Sequence, residues 1–257
     1  MANLIRIYVD QALQQDQRID LDDAQAHYVN NVMRLKVGDE VALFNGQNGE
    51  WCSTIVEGRK KRCVLELLEK TRDQTGCPDL WLVFAPIKKQ RLDFIMEKAT
   101  ELGVSAFQPV ITRRTIVSKI RSDRLQAQTI EAAEQCERLH IPDVFDALSL
   151  AQVLKDWPKE RTLFVLDERG GALPIGQSLL NHASSDKKNA PCAFLTGPEG
   201  GFDPSELDLL DKLPNVARIS VGPRILRADT AALAAISCWQ SVLGDWQAPL
   251  RERYEKE

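Results

Sequence analysis

From Leu80 onward the apolar positions fall into two alternating patterns: short unbroken runs, and longer stretches whose apolar residues recur three and four apart. The runs read as buried strands and the spaced stretches as amphipathic helices. Strands are expected at 80–85, 107–111, near Val144, and at 162–167, 192–196 and 216–221. Helices are expected at 90–102, where Leu92, Ile95, Met96, Ala99 and Leu102 share a face before Gly103, and at 122–138 behind a Ser122 cap. Others fall at 149–157, 204–213 and 229–243. Strands alternating with helices imply a parallel sheet covered on both faces, an α/β domain.

The first 70 or so residues have a different rhythm, with β-like runs at 4–9, 40–44, 51–56 and 62–67 separated by turn signals at 37–40 and 45–49. One helix, at about 22–35, is expected to bury Ala26, Val29, Val32 and Met33 on one face. The pattern suggests a small β-barrel carrying a helix. The polar stretch 70–79, which contains Gly76 and Pro78, is the linker candidate, and a boundary near residue 72 separates domains 1–72 and 73–250.

At 257 residues, 44% hydrophobic and 27% charged, the chain is globular and long enough for two cores. No apolar run approaches the roughly 18 residues of a membrane span, and MANLIRIYVD lacks the layout of a signal peptide, so a cytoplasmic location is expected. The six cysteines are scattered without a CxxC pair or a histidine at ligand spacing, which predicts reduced thiols and no metal site. A net charge of −4 excludes holding nucleic acid by bulk charge alone. Basic residues do cluster locally, in Arg59-Lys60-Lys61-Arg62 and in Arg113, Arg114, Lys119, Arg121 and Arg124.

Two loops carry the candidate chemistry. Thr196-Gly197-Pro198-Glu199-Gly200-Gly201 leaves an apolar run and enters Asp203-Pro204-Ser205-Glu206, an N-cap followed by proline and an acid. It is not a P-loop, which needs Lys and then Ser or Thr after its glycines, nor a dinucleotide fingerprint, whose glycines are spaced differently. Glu199 among the glycines would repel a phosphate but accept from a ribose hydroxyl or sit near a cation. The second loop, Gly222-Pro223-Arg224-Ile225-Leu226-Arg227-Ala228-Asp229, also leads from a strand into a helix, with Asp229 or Thr230 as the expected cap. Its large apolar pair Ile225 and Leu226 needs something to pack on. Loops like these, about 25 residues apart at strand ends, converge where open α/β sheets bind ligands.

Leu195 to Phe202 together with Gly222 to Ala231 closely resemble the signature loops of the SPOUT RNA methyltransferases, in particular the RsmE family, which methylates N3 of a uridine in 16S ribosomal RNA. Arg6-Ile7-Tyr8, His27-Tyr28-Val29, Met33-Arg34-Leu35, Glu97 to Val104 and Glu134 to Arg138 resemble that family too, so the likeness spans essentially the whole chain. It implies an N-terminal PUA-like RNA-binding barrel, a C-terminal SPOUT domain with a deep trefoil knot, and a homodimer. The implied cofactor is S-adenosylmethionine, held by Leu195, Thr196, Gly197, Glu199, Gly200, Gly201, Ser220, Val221, Gly222, Ile225, Leu226, Thr230 and Ala231. Arg227 is the implied cation for the anionic base, and Glu199 or Asp229 is either a proton acceptor or a brace for its loop. Arg6, Tyr8, His27, Arg34, Arg113, Arg114 and Arg138 are the implied RNA contacts, with 16S ribosomal RNA in the small subunit as partner. Two alternatives stay open: another SPOUT enzyme acting on a ribose 2′-hydroxyl or a guanine, and a non-catalytic RNA-binding module.

Overall fold

The computed structural model describes residues 4–249 apart from Lys60, Ser118, Glu168 and Asn189, so Lys60 of the 59–62 basic run lies outside the described residues. The chain divides into two compact units, each with its own core. The first runs to Gly76 and also takes in Ala133–Ile141; the second holds Cys77–Ala132 and the chain from Pro142.

The first unit contains β1 (Arg6–Tyr8), β2 (Arg18–Asp20), α1 (Asp23–His27), β3 (Glu40–Phe44), β4 (Glu50–Arg59) and β5 (Arg62–Arg72). These strands form one sheet in the order β1-β3-β4-β5-β2, antiparallel except for β1 beside β3. Ile7, Ile19, Val29, Val41, Leu43, Ile55, Leu65 and Leu67 fill its core. Gly49 has φ +83°, and a Cβ there would lie 2.1 Å from the Arg72 carbonyl, so only glycine fits between the strands.

The helix expected at 22–35 keeps α-geometry only to His27 and continues over Tyr28–Val32 as a π-helix, with Met33 N–H donating to the Tyr28 carbonyl five residues back. The extra residue per turn rotates the face. Ala26 and Val29 stay buried, whereas Val32 and Met33, expected in the core, are 56% and 40% exposed.

Arg6 corrects another expectation. Its side chain is 6% exposed, its Nε lies 2.6 Å from Glu50, and Nη1 and Nη2 donate to the carbonyls of Ala133, Glu134 and Arg138 at 2.7–3.0 Å. The guanidinium also lies 4.2 Å from the centre of the Phe44 ring. All three nitrogens are committed within the unit, so Arg6 is a structural tie and not an RNA contact. Arg72 adds a donor to Glu50 at 3.3 Å and one to the Glu137 carbonyl at 2.8 Å. Around them Phe44, Ala133 and Leu139 form a small core. Arg6→Ala is therefore expected to destabilise the unit by about 3–5 kcal/mol in urea unfolding, because it leaves Glu50 and three carbonyls short of donors.

The second unit contains β6 (Leu80–Phe84), α2 (Lys89–Glu101), β7 (Ala106–Ile111), α3 (Ser122–Gln135), β8 (Asp143–Val144), β9 (Leu148–Ser149) and α4 (Leu150–Lys155). It continues with β10 (Thr162–Leu166), β11 (Leu173–Pro174), α5 (Ile175–Ala183), β12 (Cys192–Thr196), α6 (Pro204–Leu210), β13 (Val216–Ser220) and α7 (Ala228–Val242). The last three residues of α3 belong with the first unit. The sheet order is β11-β13-β10-β12-β6-β7-β8, with every pairing parallel. Alternate side chains enter two cores: Leu80, Leu82, Phe84, Phe164 and Phe194 pack with α2, α5 and α7, while Val83, Leu163, Val165, Ala193 and Leu195 pack with α4 and α6.

The expected elements of this unit are present with small boundary shifts, but β9, β11 and α5 were not expected. Ile175 and Leu179, at helical spacing and buried, were the available signal for α5. Buried at its end, His182 packs edge-on against Phe164, with ring centroids 5.5 Å apart, and its Nε2 lies 3.6 Å from the Cys192 thiol. Burial pushes the Cys192 thiol up to about 11, away from reactivity. It also lowers the pKa of His182 below its ordinary value. The unfolded chain then binds the extra proton first, so this contribution to stability is complete above about pH 6.5 and is lost as pH falls toward the lower folded value. His182→Leu should flatten that acid limb in urea unfolding measured between about pH 5 and 8.

Candidate functional site

Because the strands are parallel, the turns that leave β6, β7, β10, β12 and β13 all emerge at one edge of the sheet. Thr196 lies level with Phe84, and Phe84 with Pro109. Only β10 separates β12 from β13. The loops 197–203 and 221–227 therefore start two strand spacings apart, about 10 Å, the span of a nucleoside.

The first loop is built tightly. Gly201, at φ +68°, donates to the Pro198 carbonyl at 2.9 Å. Gly197 sits against Phe202, whose ring would be 3.0 Å from any Cβ placed there. Asp203 caps α6 by accepting from the Ser205 hydroxyl at 2.6 Å and the Ser205 N–H at 3.1 Å, and these donors hold its carboxyl below the usual range.

Glu206, 5% exposed, was expected only as an acid of the first turn, and its second role was missed. One carboxylate oxygen accepts from the Asp203 N–H at 2.9 Å and the other from the Arg113 N–H at 2.8 Å. Arg114 reinforces this latch by donating to the Gly200 carbonyl at 2.9 Å. The basic segment after β7 is thereby tied to the first loop, a contact between residues more than 80 apart that sequence spacing cannot reveal.

The second loop is open. Gly222 has φ +97°, and Ile225 is 84% exposed. The expected cap at Asp229 or Thr230 is corrected: Arg227, in extended conformation, is the N-cap and offers no side-chain acceptor. The helix starts at Ala228, one residue before the expected 229, and Asp229 accepts from the Thr230 N–H at 2.9 Å inside the first turn. Arg227 and Glu199 are both exposed, with no hydrogen-bond or ion-pair partner among the described residues. Glu199 therefore does not brace its loop through its side chain. Leu195 and Thr196, expected to line the site, are 0% and 2% exposed, and Leu195 belongs to the core under α4 and α6. What they can offer the site is backbone.

Between the loops Asp167 follows β10, its buried carboxylate held by Arg169 at 2.7 Å and Arg218 at 3.4 Å. The Arg169 guanidinium holds it well below the usual carboxylate range. Asp167 is thus committed where Glu199 and Arg227 are free.

Of the other expected RNA contacts, Arg34, His27 and Arg113 are exposed. Arg34 takes φ +59°, and His27 Nδ1 lies 3.0 Å from the Asn31 amide. Tyr8 is half-buried, edge-on to Phe44, and burial followed by its bond to Asp10 pushes its phenol up to about 12, so it stays a donor. Arg138 is half-buried beside His140. Among the described residues no group of three His, Cys, Asp or Glu side chains is placed to hold a metal ion, and no helix is long and apolar enough to cross a membrane.

The family model of an RNA methyltransferase domain matches residues 75–240, and that of an RNA methyltransferase PUA domain matches 21–68. The ribosomal RNA small subunit methyltransferase E of Rickettsia conorii is 36% identical over 90% of this chain and 93% of its own length. The chain belongs to the ribosomal RNA small subunit methyltransferase E family. The family member of Synechocystis is 32% identical over 85% of this chain and 71% of its own. The crystal structure of the Neisseria gonorrhoeae family member bound to S-adenosyl methionine superposes with a TM-score of 0.85 at 30% identity, covering 95% of this chain and all of that one. A Legionella pneumophila structure with the cofactor SAM bound gives 0.83 at 30% identity, over 95% of this chain and 100% of its own.

The Glu206 latch has a direct test. Glu206→Ala leaves the Asp203 and Arg113 N–H donors unpaired and should cost about 1–3 kcal/mol in urea unfolding, with faster amide exchange at both. Glu206→Gln keeps one acceptor and should fall between the two.

Proposed function

We propose that the protein transfers the methyl group of S-adenosylmethionine to N3 of a uridine in 16S ribosomal RNA. The observation that carries this reading is the meeting of two glycine loops at one sheet edge, with Glu199 and Arg227 free there, in a chain of this family.

The residues suit the cofactor. Ile225, bare at 84% exposure, and half-buried Leu226 offer an apolar surface for adenine. Gly197, Gly200, Gly201 and Gly222 let backbone approach the ribose, while Ser220, Val221, Thr230 and Ala231 complete the lining. When bound, S-adenosylmethionine supplies an electrophilic methyl carbon on a sulfonium.

The chain's own work is to prepare the nucleophile. Uridine N3 carries a proton at neutral pH and is a poor nucleophile until that proton leaves. Arg227, with no anion already paired to it, is placed to hold O2 or O4 as negative charge develops on the base. Glu199 or Asp229 takes the proton directly or through water. Asp229 is already partly used by the Thr230 N–H, which favours Glu199.

The proposal extends to the assembly: a homodimer in the cytoplasm, with a PUA-like RNA-binding domain at 1–72 and a knotted methyltransferase domain at 73–250. The substrate is the assembled small subunit, because a chain of net charge −4 gains recognition surface from the particle. Arg34, His27, Arg113, Arg114, Tyr8 and Arg138 are its RNA contacts.

Small subunits from a strain lacking the gene, incubated with labelled cofactor, should acquire one N3-methyluridine by mass mapping of the nucleosides. Arg227→Ala should lower kcat about 100-fold while calorimetry still detects the cofactor. A ribose or guanine product, or a deletion strain whose 16S RNA keeps its N3-methyluridine, would overturn the proposal.

A further inference from the structure

Two cations outside both loops stand at the same sheet edge. Lys88 and Lys89, exposed, lie just past the turn that leaves β6 and open α2 as its N-cap and first residue, with Arg91 close behind. The first turn of α2 contains no acid, and neither lysine side chain has a hydrogen bond or ion pair among the described residues, although Lys89 lies in the field of Asp93 one turn on. Asp93, the first acid on the helix, is taken by Arg124, which reaches both its oxygens at 2.6 Å. Cations in a first turn oppose the helix dipole, which offsets the attraction between Lys89 and Asp93 and leaves Lys88 with no local role in helix stability.

Their position relative to Arg227 follows from helix register. α2 and α7 leave parallel strands, run in the same direction and pack in one core. Near their far ends, Gln240 of α7 donates to the Leu102 carbonyl at the end of α2 at 2.6 Å. Equal counts back from that tie, about 20 Å at 1.5 Å per residue, reach Lys89 on one helix and Arg227 on the other. The lysines and the free arginine of the proposed reaction therefore share one level at the loop edge.

We propose that Lys88 and Lys89 grip the phosphodiester backbone of the RNA beside the reacting nucleotide. Flexible ammonium groups suit this contact, since they follow a backbone without reading bases. The inference rests on the methyltransferase reading for the identity of the polyanion.

The test compares wild type with Lys88→Gln/Lys89→Gln and Lys88→Arg/Lys89→Arg, using 16S RNA and small subunits that lack the modification. The glutamine pair should raise the KM for RNA about tenfold and reduce the slope of log affinity against log salt by about 1–2, whereas the arginine pair keeps both near wild type. Cofactor affinity by calorimetry should stay within twofold. An unchanged KM and salt slope, or a loss confined to cofactor binding, overturns the grip. Wild type that binds the RNA but transfers no methyl group sinks the proposed reaction instead, and the salt slopes of binding still decide the lysines.

Discussion

Because β13, β10, β12, β6 and β7 run parallel, each of them that is followed by another strand must be left by a crossover that carries the chain back to the opposite end. That constraint does three things at once. It places helices on both faces, so each strand buries alternate side chains in separate cores. It brings every outgoing turn to one edge. And it makes the helices that follow run the same way, so a single bond between Gln240 and Leu102 sets the level of two distant helix starts. The glycine loops, the basic segment after β7 and the lysines before α2 are neighbours for this reason, although they span residues 88 to 227.

The charges sort by whether they are already paired. Arg6 with Glu50, Arg161 with Asp79, and Asp167 with Arg169 are drawn into buried or half-buried networks whose removal would strand a partner. Glu206 commits both oxygens to backbone amides and so ties the first loop to the segment after β7. Arg227, Glu199 and Lys88 have no such commitments among the described residues, Lys89 feels only Asp93, which Arg124 already holds, and all lie at the loop edge. An exposed charge without a partner retains its full capacity for a ligand, which is why the two groups divide into frame and site.

Much of this was legible in the residues. The 192–196 and 80–85 runs predict strands because they are apolar on both faces, and the spacing of Leu92, Ile95, Met96 and Ala99 predicts a helix because 3.6 residues make a turn. The loop pair was legible as a ligand site once its glycines failed the phosphate and dinucleotide patterns. Three features were not. The π-turn after His27 has no compositional signature, and it turned Val32 and Met33 outward. The resemblance at Arg6-Ile7-Tyr8 implied an RNA contact at Arg6, whose partners, Glu50 and the carbonyls of Ala133, Glu134 and Arg138, are far away in the chain. Helix α5, short and following a glycine pair, was missed although Ile175 and Leu179 marked it.

The sequence by itself determined the alternation of elements, the two units' different rhythms and the identity of the loop residues, since these depend on local periodicity and on which side chains can adopt a given turn. Only the tertiary structure decided which charges are spent and which are free, because paired charges such as Arg6 and Glu50 or Arg161 and Asp79 lie 44 and 82 residues apart. Side-chain chemistry is written along the chain; its availability depends on what folding brings within about 3 Å.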